Sequence, residues 1–414
     1  MMKKNPAKPG RFLVLPLLAL SLFLASCGQD PIFFKISLEV QPREPRIKGV
    51  PSNFAVFEYE TGKKGLYVAN DYLHRYAKNA AGKAVWDEQE TPQPGGRIYA
   101  LAATETTAGH PDRLFAMADG SLFVIGTGQS SWTKISIDPA ADATAKTYSS
   151  IQAIYAAGNT LFAAGWSGKA DESNSRNTGF AVFYETGGVL KPIKTGTALL
   201  SGAAVSGGQY YLAINGAGIF TTSNLASGSL SGPSTFTGSG EHRDRFWDIV
   251  ALVNTGAAVT AITRNGDFLN VAGSNYSIIK DDINQAMTGA VAFWESPDNS
   301  TLRLFLVGLR AGTGNVNYGY REVAIDGSGA LVLSSQAGLR MPGEGSPSSV
   351  NDKDKYGATI GSHPINFLYQ APRDVDPEMI LFAAIQGTGK TTNNLDSGVW
   401  SYRNRDGWQW NGEE

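Results

Sequence analysis

RLFAMADGSLFVI, residues 113–125, is the stretch of sequence that decides the fold. Two short apolar runs, residues 113–118 and 121–125, lie on either side of the dipeptide Asp119-Gly120. Asp-Gly between two β-type runs is the usual sequence of a two-residue hairpin turn. The stretch therefore predicts two antiparallel strands joined by a tight turn.

Similar units recur along the chain from residue 53, at a spacing of roughly 35–50 residues. Each unit begins with an apolar inner run and continues with two or three further β-type runs between Gly-rich, Asn-Gly or Ser-rich turns. No long window has a helical period. The predicted units begin at residues 54, 97, 151, 203, 248, 290 and 366.

The inner runs carry many small residues, such as Ala-Leu-Ala-Ala at 100–103 and Ala-Ile-Tyr-Ala-Ala at 153–157. Small side chains suit strands that crowd around an axis. The units therefore predict an all-β fold, a seven-bladed β-propeller of four-stranded blades, in which neighbouring blades cover each other's apolar faces. A pair of β-sandwiches or a solenoid is the alternative that this pattern leaves open.

The composition excludes several classes of protein. Charged residues make up 17% of the 414 residues, apolar residues 42%, and 35 Lys and Arg stand against 37 Asp and Glu. A chain of this kind is neither a disordered polyampholyte nor a nucleic-acid binder that relies on bulk positive charge. With one cysteine it is no disulfide scaffold, and with one long apolar run it is no polytopic membrane protein.

The N-terminus has the pattern of a signal peptide. Four basic residues precede an apolar run at residues 12–24, which as a helix covers about 20 Å and is too short for a hydrocarbon core of roughly 30 Å. Leu24-Ala25-Ser26-Cys27 resembles the lipobox of bacterial lipoproteins. That resemblance implies cleavage before Cys27 and acyl chains on its sulfur and amino group, whereas an ordinary cleavage site after Ser26 is the alternative.

The predicted organisation follows from these two patterns. Residues 1–26 are the lipoprotein signal peptide, residues 27–52 a lipid-anchored tether, and residues 53–414 the propeller. The β-type run at residues 33–40 either adds a ring-closing strand to the last blade or is part of the tether. Removal of the signal peptide takes away four positive charges and no negative ones, so the net charge falls from −2 to −6.

Three connections between second and third strands are longer than a hairpin requires. They lie at residues 165–179, at residues 310–319 and around Lys390, whereas other units have tight turns such as Asn70-Asp71 and Asn265-Gly266. In a propeller all such connections emerge on one face, so the long loops would meet there. Neutral loop drift explains their length equally well. The predicted ligand-binding face consists of Trp166, Lys169, Arg176, Arg310, Tyr318 and Lys390.

No residue pattern predicts a catalytic centre, a metal site or a cofactor. Residues 387–392, GTGKTT, mimic the end of a phosphate-binding loop but lack its first glycine and the helix that must follow. The four histidines have no metal-ligand spacing. Three acidic residues in one turn are an alternative calcium site or a carboxylate pair for glycosidase chemistry; they are Asp374, Asp376 and Glu378.

The Leu24–Cys27 lipobox followed by one Gly-rich propeller is similar to surface lipoproteins of spirochaetes, of the treponemal type, a family with fibronectin-binding members. The resemblance implies an outer-membrane adhesin whose partners are a host matrix protein and the membrane that holds its acyl chains. The same features resemble propeller lipoproteins that serve as periplasmic scaffolds for outer-membrane protein assembly. We therefore expect a surface-exposed binding protein without nucleic-acid or nucleotide ligands, with the scaffold and a glycan-active hydrolase as alternatives.

Overall fold

A computed structural model describes residues 47–93, 96–106, 109–168, 179–236, 248–256, 258–280, 287–295, 303–309, 319–325, 330–332, 364–385, 397–403 and 409–412. The chain divides into two compact units, Met1–Arg43 and Glu44–Glu414, and all described residues belong to the second. The predicted signal peptide, Cys27 and the run at residues 33–40 lie outside the described residues. Their structural predictions stay predictions.

The first three groups of strands have four strands each. Group 1 contains β1 Ala55–Glu60, β2 Lys63–Ala69, β3 Leu73–Lys78 and β4 Ala84–Gln89. Group 2 contains β5 Ile98–Thr104, β6 Arg113–Ala118, β7 Ser121–Gly126 and β8 Thr133–Ile137. Group 3 contains β9 Ser150–Ala157, β10 Thr160–Trp166, β11 Phe180–Thr186 and β12 Val189–Thr197.

The other groups repeat this meander with small variations. Group 4 contains β13 Leu200–Ser206, β14 Gln209–Ile214 and β15 Gly218–Thr222, and the two-residue β16 Thr235–Phe236 follows it. Group 5 contains β17 Ile249–Asn254, β18 Val259–Thr263, β19 Phe268–Ala272 and β20 Asn275–Lys280. Group 6 contains β21 Met287–Glu295, β22 Arg303–Leu309, β23 Gly319–Ile325 and β24 Leu331–Val332. Group 7 contains β25 Ile365–Gln370, β26 Leu381–Ile385, β27 Gly398–Arg403 and β28 Gln409–Gly412.

Strands within each group pair antiparallel in chain order, but two sheets extend beyond one group. The outer strands β8 and β12 pair in parallel through Ser136 with Val189 and Ile137 with Leu190, so groups 2 and 3 share one eight-stranded sheet. In group 5, β16 adds to the outer strand β20. Because groups 2 and 3 share a sheet, the predicted count of seven separate blades stays a prediction.

Seven apolar clusters connect the groups into a ring. Each cluster contains buried residues from two successive groups, and one joins the last group to the first. Representative members, from the contact between groups 1 and 2 round to that between groups 7 and 1, are Phe57 and Leu114, Phe115 and Phe183, Phe162 and Leu212, Tyr211 and Leu269, Phe268 and Phe305, Leu306 and Leu381, and Phe382 and Leu66. Burying one such side chain contributes about 1.5–3 kcal/mol. The predicted all-β propeller architecture is confirmed.

The segment just before group 1 bonds to the last group and so joins the two ends of the ring. Lys48 forms an antiparallel bridge with Gly398 at the start of β27, and the Val399 N–H donates to the Ile47 carbonyl at 3.0 Å. Ile47 is 1% exposed and packs in the cluster between groups 7 and 1. Residues ahead of the first strand therefore add to the last sheet, a role that the sequence offered for residues 33–40.

Helical structure is minor in the described part of the chain. The helix α1, Ala143–Lys146, makes one turn between groups 2 and 3, with the Asp142 side chain accepting the Ala145 N–H. A 3-10 turn spans Leu225–Ser227. Among the residues described, no helix is long and apolar enough to cross a bilayer.

Candidate functional site

The innermost strands of four groups surround a cavity of about 1160 Å³. Residues of β1, β5, β9 and β25 line it, and each of these strands begins a group. Successive antiparallel strands alternate direction, so all inner strands begin on one face of the ring, together with the second-to-third-strand connections. We call this the upper face; the first-to-second-strand connections lie on the lower face.

The upper end of the cavity is built from turns that bond to the next group. Asp119 and Gly120 have φ angles of +46° and +73°, which is the mirror-image turn that the sequence predicts for this hairpin. The Gly120 carbonyl accepts the Ile151 N–H at 2.8 Å. The Asn53 amide pairs with both backbone groups of Leu101, at 2.5 and 2.8 Å. Group 1 is thus bonded to group 2, and group 2 to group 3, at the rim.

Exposed apolar side chains collect beside this rim. Val50, Tyr72 and Tyr99 are 37%, 54% and 50% exposed, and we call them the aromatic patch. The Arg97 guanidinium lies 5.4 Å from the Tyr99 ring centroid and donates to the Val50 carbonyl at 3.5 Å. The Asn70 side chain donates to the Lys48 carbonyl and accepts the Tyr72 N–H, both at 2.8 Å. The three residues are therefore held by one bonded framework, and Tyr99 also lines the cavity.

One residue of the predicted binding face lies in the described part of the chain. Trp166 ends β10 on the upper face, is partly buried, and pairs in register with Ser150, which lines the cavity. Trp166 therefore lies next to the cavity lining. The other members, Lys169, Arg176, Arg310, Tyr318 and Lys390, lie outside the described residues, so their convergence on this face stays a prediction.

The lower end of the cavity is polar. Lys64 and Asp374 form an ion pair of 2.8 Å, and the Glu105 carboxylate accepts the Gly109 N–H at 2.8 Å. Burial, with the negative charges of Asp374 and Glu105, raises the pKa of Tyr369 to about 12. Burial alone raises the pKa of Tyr155 to about 12. Both tyrosines line the cavity, and no hydrogen bond joins either hydroxyl to another described residue.

The carboxylates of the acidic turn at residues 374–378, the alternative calcium site, bond to other groups of the same chain. The Asp376 carboxylate accepts the Tyr76 hydroxyl and, at 2.9 Å, the Glu378 N–H. Asp374 bonds to Lys64 instead. Within the part of the chain that the structure describes, no group of three or more His, Cys, Asp or Glu residues is placed to hold a metal ion.

Two buried glutamates stabilise the lower rim. Glu58 accepts the Gly62 N–H and the His110 Nδ1–H, each at 2.9 Å, and these bonds hold its pKa below the ordinary value of 4.5. Glu185 bonds to Arg113 at 2.7 Å and accepts the Gly188 N–H at 2.9 Å. Each glutamate therefore closes a hairpin turn and holds a side chain from a neighbouring connection or strand.

The aromatic residues that line the cavity are not among the residues predicted from the sequence. Tyr99 directly precedes the Ala-rich run at 100–103, and Tyr155 lies within the run at 153–157. Tyr369 lies in the inner strand of group 7. A large polar aromatic among small axial residues was the available signal.

Comparisons with known proteins bear on the fold. No family model and no curated protein matches the sequence. Among solved structures, the chain is similar to the extracellular domain of BT4673 from B. thetaiotaomicron, with 11% identity and a TM-score of 0.50, covering 87% of this chain and 40% of that one.

YCF48 from Cyanidioschyzon merolae is 11% identical, with a TM-score of 0.48, and the match covers 87% of this chain and 96% of that one. An ancestral GH74 enzyme is 15% identical, with a TM-score of 0.49, and the match covers 90% of this chain and 47% of that one. The chain thus spans about 40% of the length of the BT4673 structure. At such identities a likeness concerns the fold alone.

Proposed function

We propose that this protein is a lipid-anchored binding protein of the cell envelope that holds a protein ligand on the upper face of its propeller. The observation that carries the proposal is the aromatic patch, where two tyrosines stay half exposed although a bonded framework fixes their backbone. Exposed aromatic side chains on a rigid support are typical of protein interfaces. The adjoining cavity offers a concave site for part of the ligand.

The narrower proposal is a surface adhesin for host matrix protein such as fibronectin, anchored in the outer membrane through Cys27. It is supported by the Leu24–Cys27 lipobox and by the spirochaetal resemblance. Incorporation of a labelled fatty acid into the wild type and its loss in Cys27→Ala tests the anchor. Protease treatment of intact cells tests the side of the membrane, since a propeller that survives until the membrane is permeabilised is periplasmic.

Binding of fibronectin to intact cells tests the ligand. We expect Tyr72→Ala with Tyr99→Ala to lower binding by about tenfold, because central aromatic residues dominate interface energies. Phe293→Ala is the control, as Phe293 is an exposed aromatic (41%) in group 6, away from the patch. Equal binding by all three chains contradicts the proposal.

The proposal assigns no catalytic residue. A non-catalytic role is supported by the bonds of the Asp374 and Asp376 carboxylates to Lys64 and Tyr76 of the same protein. A hydrolase requires a carboxylate pair free to donate a proton and to attack or activate water. Turnover of a glycan panel that disappears in Asp374→Asn or Asp376→Asn would establish the enzyme instead.

A further inference from the structure

The charges that line the cavity are unequal. Glu105, Asp119 and Asp374 contribute three carboxylates, and Lys64, already paired with Asp374, is the one basic residue among the described lining residues. Asp119 lies at the upper end, and the other charged residues lie at the lower end. After the paired charges are set aside, one carboxylate remains at each end of the cavity.

The walls between these carboxylates are aromatic. Tyr99, Tyr155, Phe367 and Tyr369 line the cavity together with small alanines. The face of an aromatic ring attracts a positive charge, and more strongly where water is excluded. Carboxylates at the two ends and aromatic rings along the sides therefore favour the same kind of group, a cation on a partly apolar stem.

Two further observations point to a ligand. The hydroxyls of Tyr155 and Tyr369 have no hydrogen-bond partner among the described residues, and both side chains are partly buried in the cavity wall. Both hydroxyls are therefore available to hydrogen-bond with a molecule in the cavity. Burial is the main cause of the raised pKa of Tyr369, and the negative charges of Asp374 and Glu105 add to it.

We propose that the cavity binds the Lys or Arg side chains of an extended, basic segment of the partner protein. The proposal rests on the proposed binding function and specifies its ligand. The cavity extends from Tyr99 near the start of β5 to Glu105 just past its end, about 20 Å at ~3.3 Å per residue. An extended segment that enters beside the aromatic patch spans that length and places a cation at each carboxylate. A mature net charge of −6 attracts such a segment from a distance.

The test uses the full chain in mild detergent and three fluorescent peptides of one length that differ only in carrying Arg, Gln or Glu at the same positions. Fluorescence anisotropy measures binding. We expect the Arg peptide to bind about tenfold more tightly than the Gln peptide and the Glu peptide more weakly still. Added salt should weaken the Arg peptide most. Equal binding of the Arg and Gln peptides, or no binding by any, overturns the proposal.

A charge-matched pair of variants locates the effect. Glu105→Gln with Asp119→Asn removes two cavity carboxylates; Gln still accepts from Gly109, and Asn tolerates the positive φ of residue 119. Glu88→Gln with Asp87→Asn removes two carboxylates on the outer strand β4 that do not line the cavity. We expect the first variant to lose the preference for Arg and the second to keep it; equal behaviour of the two contradicts the cavity as the site.

Failure of this inference is distinguishable from failure of the proposed function. If the variant with Tyr72→Ala and Tyr99→Ala loses the envelope or matrix partner while the wild type binds the Arg and Gln peptides alike, the proposed binding function stands and the basic ligand is excluded. Retention of the partner by that variant excludes the upper-face function itself.

Discussion

The two faces of the ring differ in whether their polar and aromatic side chains are bonded within the chain or exposed. On the lower face the charged groups are bonded within the chain: Lys64 with Asp374, His110 with Glu58, and Arg113 with Glu185. On the upper face around groups 1 and 2, Tyr72 and Tyr99 remain half exposed on a bonded backbone. The lower face thus has the features of a structural rim and the upper face those of a binding surface. Mutations on the two faces should therefore affect different measurements.

The largest effect is expected from Arg113→Ala on the lower face. The Glu185 side chain is 3% exposed and would keep a buried charge without its partner, which costs about 3 kcal/mol of the free energy of unfolding. Thermal or urea unfolding measures the loss. Lys63→Ala breaks an exposed pair with Glu60 and is the control, expected to leave stability unchanged. Equal stability of Arg113→Ala and wild type would remove the structural role of this rim.

The next effect is expected on the upper face and in binding alone. Tyr72→Ala with Tyr99→Ala should lower the affinity for the Arg peptide by about tenfold. The melting temperature should stay within error of the wild type, because both side chains are half exposed. A fall in stability with unchanged affinity would reverse the assignment of the two faces.

A smaller, pH-dependent effect is expected from Glu58→Gln. The pKa of Glu58 is lowered in the folded protein, so its bonds stabilise the fold above the ordinary value of 4.5 and are lost as the pH falls through the folded value. The variant should melt below the wild type at pH 7, and the difference should shrink in acid. A difference that stays constant between neutral pH and the acid side would refute the role of this carboxylate.

The smallest expected effect connects the two faces. Lys64→Gln frees the Asp374 carboxylate at the lower end of the cavity. The cavity becomes more negative, so the affinity for the Arg peptide should rise by about two- to threefold. Anisotropy titrations at low salt measure the change. Weaker binding of the Arg peptide would show that Lys64 itself contacts the ligand.

The sequence predicted the fold better than the site. Two-residue turns such as Asp119-Gly120 and alternating apolar runs are local signals, and the strands formed where these occur. Strand β12 has no such local signal in the sequence, because Pro192 and two lysines argue against a strand. Its outer position tolerates them, and Pro192 pairs next to a register shift.

The site depends on contacts between distant segments, which a single sequence does not reveal. Glu105 and Asp374 line the same cavity because group 1 packs against group 7 on one side and against group 2 on the other. The fastening by Ile47 and Lys48 is likewise invisible locally, since neither residue lies in a β-type run. The long loop after β10 predicted a role for Trp166 in binding, whereas its proximity to the cavity follows from its register with Ser150.

Site-specific photo-crosslinking in intact cells tests the central claim most directly. A photoreactive phenylalanine analogue replaces Tyr99 in one chain and Phe293 in another; both positions are exposed and lie in inner strands. We predict a discrete covalent adduct with a partner protein from position 99 and none from position 293. An adduct from position 293 alone, or identical products from both, would contradict a binding surface on the upper face.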